Sequence, residues 1–156
     1  MTTPTVLADW RQFAAEAPTL ATAVRARFEA NTSHVLATLR RDGSPRVSGI
    51  EVDFHGGDLV VGSMWRAVKA RDLQRGGRFA LHANPTEGGD AKLSGRAVEV
   101  ADPEERRAYT KGDEPPGPFH LFRLLLDEAV LTSVVGDRLV IESWHPGAPP
   151  RRMERR

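Results

Sequence analysis

The alternation of apolar and polar residues divides the chain into a helical start, a strand-rich middle and a strand-rich end. Val35-Leu36-Ala37-Thr38-Leu39 is a short apolar run, and Arg41-Asp42-Gly43-Ser44 has turn chemistry because Asp and Gly tolerate positive φ. Arg46 to Phe54 then resumes an extended pattern. His55-Gly56-Gly57-Asp58 makes a second turn before Leu59-Val60-Val61-Gly62-Ser63, so the spacing predicts three antiparallel strands in a meander. Ala67 to Arg75 carries Val68, Arg71, Asp72 and Leu73 at helical spacing and stops at Gly76-Gly77. The next strand is Phe79 to Ala83.

The flanking segments differ in character. Val6 to Ala30 reads as two helices broken near Pro18: Leu7, Trp10, Phe13 and Ala14 share one face, and Leu20, Val24 and Phe28 recur at i, i+4, i+8, with Thr19 as a candidate cap. Such stripes pack a helix on a core. Asp102, an N-cap residue, precedes Pro103-Glu104-Glu105, which opens a short helix running to about Lys111. Gly112 to Pro118 reads as a rigid loop, too short for a domain linker. Phe119 to Leu126, Glu128 to Val135 and Arg138 to Trp144 read as three closing strands, the last two joined at Gly136-Asp137.

Composition narrows the classes. A chain of 156 residues is one domain, 1–156, long enough to bury a core that a small barrel commonly completes by dimerising. The net charge of +1 gives no reason to expect nucleic acid, and the absence of cysteine excludes disulfides and thiolate metal sites. With neither a secretory leader nor a long apolar run, a cytoplasmic protein without a membrane anchor is expected. Five scattered histidines form no ligand pattern, so no metal site is expected. The three lysines against 19 arginines make Lys69 a less casual occurrence. The order strand, Gly62-Ser63-Met64, helix with Lys69 places a hydroxyl, backbone donors and a cation at one strand end, where a phosphate-bearing cofactor fits.

A run of matches in register carries a resemblance. It comprises Leu36-Ala37-Thr38-Leu39, Asp42-Gly43-Ser44-Pro45-Arg46-Val47, Gly57-Asp58-Leu59, Ser63, Lys69, Arg71-Asp72-Leu73 and Arg78-Phe79-Ala80-Leu81. Lys92 to Val100 and Asp102-Pro103-Glu104 continue it, so that Phe28 to Trp144 is covered. The pattern resembles the split β-barrel flavin-binding proteins, the family of pyridoxamine 5'-phosphate oxidase and its deazaflavin-using relatives. The resemblance implies a mainly β, α+β fold: a split barrel of about six to seven antiparallel strands with N-terminal helices, short peripheral helices and a dimeric assembly. It implies FMN as cofactor, with the deazaflavin coenzyme F-420 as the alternative, and hydride transfer to or from a small substrate.

The resemblance also assigns residues. Lys69 aligns with the family's phosphate lysine, and the amides of Ala67 and Val68 at the helix start add neutral donors. Ser63 supplies a hydroxyl and Met64 an apolar wall. Arg46, Val47 and Ser48 occupy the strand that contacts the ring edge; Arg46 and Ser48 share a face, and Val47 points into the opposite layer. Trp144 either stacks at the partner's cofactor or plugs the barrel. The arginines from Arg151 to Arg156 resemble those that reach phosphates across the family's dimer interface, but by their residues alone they read first as a basic disordered tail. Ser48 stands where the oxidase has a basic residue, and Tyr109 is followed by Thr110-Lys111-Gly112-Asp113, not by the expected arginine, so vitamin B6 oxidation is not implied. Two other readings stand beside the enzyme: a flavin carrier or degenerate barrel without turnover, and haem binding through His120 or His145.

Overall fold

The computed structural model describes residues 5–112, 114 and 116–156; Asp113 and Pro115 of the expected loop lie outside them. Two helices open the chain, α1 (Trp10–Glu16) and α2 (Pro18–Glu29). The Asp9 side chain accepts the Gln12 N–H at 2.9 Å to cap α1. Pro18 begins α2 at the position where its missing N–H costs nothing, so the expected cap at Thr19 falls inside the first turn. Leu20, Val24 and Phe28 are buried on one face of α2, as their spacing requires.

The strands are β1 (His34–Leu39), β2 (Pro45–Ile50), β3 (Val52–His55), β4 (Asp58–Met64), β5 (Arg78–His82), β6 (Gly89–Glu99), β7 (Phe119–Val135), β8 (Arg138–Trp144) and β9 (Arg151–Arg155). Between β4 and β5 lies α3 (Val68–Arg75), and between β6 and β7 lies α4 (Pro103–Arg107), which stops short of the expected Lys111. Seven strands follow one antiparallel path, β2-β1-β5-β6-β7-β4-β3, and the β8–β9 pair extends from β7. This is an α+β split barrel. The expected single strand from Arg46 to Phe54 is two, bent at Glu51, because its first arm pairs with β1 and its second with β4. One bent run therefore joins the two ends of the path.

The two strands expected on either side of Asp127 are one. Across Asp127 the register on β6 shifts, with Ser94 facing Glu128 and Gly95 facing Leu126, which leaves Asp127 as a bulge. The Ser94 hydroxyl donates to Asp127 Oδ1 at 2.6 Å, and a Cβ on Gly95 would stand 1.8 Å from the Leu125 carbonyl oxygen. The tail is also ordered: residues 151–155 form β9 on β8, where Arg138 pairs with Glu154 at 2.7 Å.

The core fills the barrel and the space beneath α1 and α2. Phe13 stacks on Trp144 with centroids 4.6 Å apart, and Trp10 meets Phe13 and Phe54 edge-on. Leu36, Leu59, Leu81, Leu93, Leu124 and Leu126 point inward from successive strands.

Candidate functional site

α3 lies against the β1–β2 hairpin and is held at both ends. At its start Lys69 Nζ donates to the Gly49 carbonyl at 2.7 Å. One turn on, Asp72 is buried, and its Oδ2 accepts from Thr38 Oγ1 at 2.7 Å and Arg46 Nε at 2.8 Å. At its end Arg75 Nη1 donates to the Leu39 carbonyl at 3.3 Å and lies 3.5 Å from Asp72 Oδ1. Burial alone pushes the Asp72 carboxyl up, but hydrogen bonds from Arg46 and Thr38 and the charges of Arg46 and Arg75 hold it below the ordinary aspartate value.

Lys69 thus sits over β2 next to Ser48, at the end of the strand where it bends away. Gly49 and Val47 face outward there, while Ser48 shares the inward parity of Arg46 and Ile50. Ser63, two residues beyond Val61 of the β3–β4 pair, also points inward. The hydroxyls of Ser48 and Ser63 are buried and have no hydrogen-bond partner among the described residues. Among the described residues no side chain caps α3, so its first amides, Val68 among them, have no cap partner there. The Ala67 amide is different: it donates to the Met64 carbonyl at 3.1 Å, which closes the turn and removes it from the expected donor set.

The outward side of this region is apolar. Val47, Met64, Trp65 and Val68 are 70%, 81%, 51% and 55% exposed. Apolar side chains left exposed in this way mark a surface that something else covers. An ammonium, an uncapped helix start and two unpartnered hydroxyls suit a phosphate and the hydroxylated chain behind it, so the residues present fit a flavin or deazaflavin phosphate.

Two expected contacts do not assemble. Arg46 gives its Nε to Asp72, an ion pair that turns it towards α3 and leaves only its terminal nitrogens for a ligand. Trp144 is fully buried; its Nε1 donates to Glu16 Oε1 at 3.3 Å, so within this chain it plugs the barrel. Tyr109 is also structural, its hydroxyl donating to the buried Asp58 at 3.0 Å. The hydrogen bond with Tyr109 contributes most to raising the neighbouring Arg123 above its ordinary value; the nearby Asp58 and Glu105 charges add to it and burial opposes it.

Sequence reading missed Asp72 as the anchor and Trp65 as part of the surface. Asp72 had a visible signal, an acid adjacent to Leu73 on the inward face of an amphipathic helix. Trp65 had none, because its setting is tertiary. It stacks on His120 at 4.6 Å and 11°, while His120 Nδ1 donates to Glu99 Oε2 at 2.6 Å and Nε2 accepts the Arg66 amide at 3.2 Å. Arg66 has φ 60°, the only positive value at a non-glycine among the described residues, and the imidazole holds that turn. His145 lies apart and half-exposed, 3.0 Å from the Asp127 carbonyl and 3.3 Å from Glu128. Among the described residues no three His, Asp or Glu side chains are grouped to hold a metal, and no helix is long and apolar enough to cross a membrane.

The sequence model of the pyridoxamine 5'-phosphate oxidase family matches residues 20–132, and the chain belongs to that family. No curated protein matches the chain. Among solved structures it is similar to a haem-binding protein from Mycobacterium smegmatis, at 19% identity and TM-score 0.65, over 83% of this chain and 59% of that one. It is similar to PhzG from Burkholderia lata 383, solved with tetrahydrophenazine-1-carboxylic acid, at 20% identity and TM-score 0.57, over 88% of each chain. ChuZ from Campylobacter jejuni matches at 14% identity and TM-score 0.63, over 83% of this chain and 61% of that one. The chain therefore spans about three-fifths of the mycobacterial protein and of ChuZ. These likenesses show the fold.

Proposed function

We propose that the protein is an oxidoreductase that binds FMN, or in its place the deazaflavin coenzyme F-420, and passes a hydride to or from a small substrate as a homodimer. The observation that carries this reading is the setting of Lys69: an ammonium over the Gly49 carbonyl, at the head of an uncapped helix, among exposed Val47, Met64, Trp65 and Val68. Lys69, the Val68 amide and the hydroxyls of Ser48 and Ser63 would hold the phosphate end. When bound, the ring system supplies the redox chemistry, so the chain needs no acid or base of its own there. The exposed apolar side chains exclude water from the ring and from the face shared with a second copy. Val35 and Val47, outward on adjacent strands, extend that face.

Purified protein stripped of ligand is titrated with FMN and with F-420, following quenching of ligand fluorescence, beside Lys69→Ala. A charge-assisted hydrogen bond contributes about 1.5–3 kcal/mol, so the variant should bind about ten- to a hundredfold more weakly. Equal affinity in the variant removes Lys69 from the site. Bound ligand that no common donor reduces would make the protein a carrier.

Haem is the second reading, raised by the name of one structural neighbour, the mycobacterial haem-binding protein. Within this chain His120 is buried with both ring nitrogens engaged, so it serves the fold; His145, whose ring nitrogens face the Asp127 carbonyl and Glu128, is the exposed one of the two candidates. A Soret band that survives His145→Ala would exclude that residue as the ligand.

A further inference from the structure

We infer that the cleft at the far end of α3 is a binding site for a small organic dianion, a phosphate monoester or a dicarboxylate. The cleft has a volume of about 410 Å³ and is lined by Arg40, Arg41, Arg46, Arg75, Asp42 and Asp72. That volume is in the range of small-ligand pockets. Four guanidinium groups against two carboxylates leave +4 − 2 = +2 on its walls. The C-terminus of α3 adds only about half a negative charge, so the cleft remains cationic.

The two carboxylates do not compete for a ligand. Asp42 Oδ1 accepts both the amide and the hydroxyl of Ser44, at 2.9 and 2.6 Å, within the hairpin turn. Asp72 is buried beneath the cleft and is fixed by Thr38 and Arg46. It therefore acts as an internal counter-ion that sets the guanidinium planes. Arg46 gives Asp72 its Nε, and no described residue takes its two terminal nitrogens. Arg75 is steadied by the Leu39 carbonyl. Arg41 has no hydrogen bond or ion pair among the described residues, and Arg40 makes one long contact, 3.5 Å to the Pro45 carbonyl. Two guanidinium groups are thus pre-oriented and two are available to close on an incoming acid. Planar forks of this kind match the paired oxygens of carboxylate and phosphate.

This site is separate from the proposed cofactor phosphate. Arg75 lies six residues after Lys69 on α3, about 9 Å along the helix axis. It stands whether or not a flavin binds.

The experiment is calorimetric titration of the full chain with glycerol 3-phosphate and with succinate, at ionic strength matched by sodium chloride. It is run on the wild type, on the double variant Arg40→Ser/Arg41→Ser and on Lys69→Ala. The two arginines touch no buried group, so the double variant should fold, which circular dichroism checks. Saturable binding of one dianion, weakened at least about tenfold in the double variant and unchanged in Lys69→Ala, is expected. The better ligand decides between phosphate ester and dicarboxylate. Absence of saturable heat for both dianions at millimolar concentration overturns the inference, as does binding that the double variant leaves intact. Binding lost only in Lys69→Ala would transfer the anion to the cofactor site and equally overturn it.

Discussion

Asp72→Ala is the substitution that should damage this fold most for its size. The side chain is 2% exposed and its carboxylate takes two short hydrogen bonds, from Thr38 Oγ1 at 2.7 Å and Arg46 Nε at 2.8 Å. Removing it leaves the buried Thr38 hydroxyl without an acceptor and Arg46 without its counter-ion. Breaking a buried pair in this way costs about 3–5 kcal/mol. Arg46 and Arg75 retain partial access to water, with side chains 22% and 37% exposed, so about 3 kcal/mol is the expected loss. For a domain of this length that is a fall of about 6–12 °C in Tm, read by denaturant and thermal unfolding followed by circular dichroism. The pH dependence has a fixed sign. Because the folded Asp72 value lies below the unfolded one, its contribution is complete above the unfolded value of about 3.9. It is lost as pH falls through the folded value. The stability gap between wild type and variant should therefore be wide at neutral pH and close in acid. A gap below about 1 kcal/mol at pH 7, or one that widens in acid, would refute the assignment of Asp72 as the anchor of α3.

Trp144→Ala should lose about 3–5 kcal/mol by leaving a cavity against Phe13, measured by urea unfolding. A smaller loss accompanied by loss of ligand would return Trp144 to a binding role. Gly95→Ala forces a Cβ to within 1.8 Å of the Leu125 carbonyl oxygen across the bulge, so the variant should express poorly or melt well below the wild type. An unchanged melting curve would mean that the bulge relaxes freely. His120→Ala removes both the Arg66 amide's acceptor and the surface under Trp65, and Trp65 emission should shift towards the red as the indole enters water. An unchanged spectrum would show that the turn holds without the imidazole.

Local chemistry made much of this protein legible in its sequence. Asp and Gly in the turns, Gly76-Gly77 after α3 and the i, i+4, i+8 stripe of α2 act within a few residues, so the meander, the helices and the strand from Arg138 to Trp144 follow from short windows. Resemblance supplied the family, which the match over residues 20–132 shows. What escaped depends on residues far apart in the chain. Glu51 looks like any other polar strand residue, and only competition between β1 and β4 for the two arms of one run makes it the bend. The arginine-rich end reads as a solvated tail, but β8 offers it an open edge and it becomes β9. Arg46 reads as a candidate ligand contact with no sign that Asp72, 26 residues away, takes its Nε. Sequence by itself determined where most strands and helices lie, short of the Glu51 bend, the continuity of β7 and the pairing of β9, because turn preferences and side-chain periodicity are local. Tertiary structure alone decided which polar groups are paired and which are left free around Lys69 and in the arginine cleft, because that depends on which strands and helices meet.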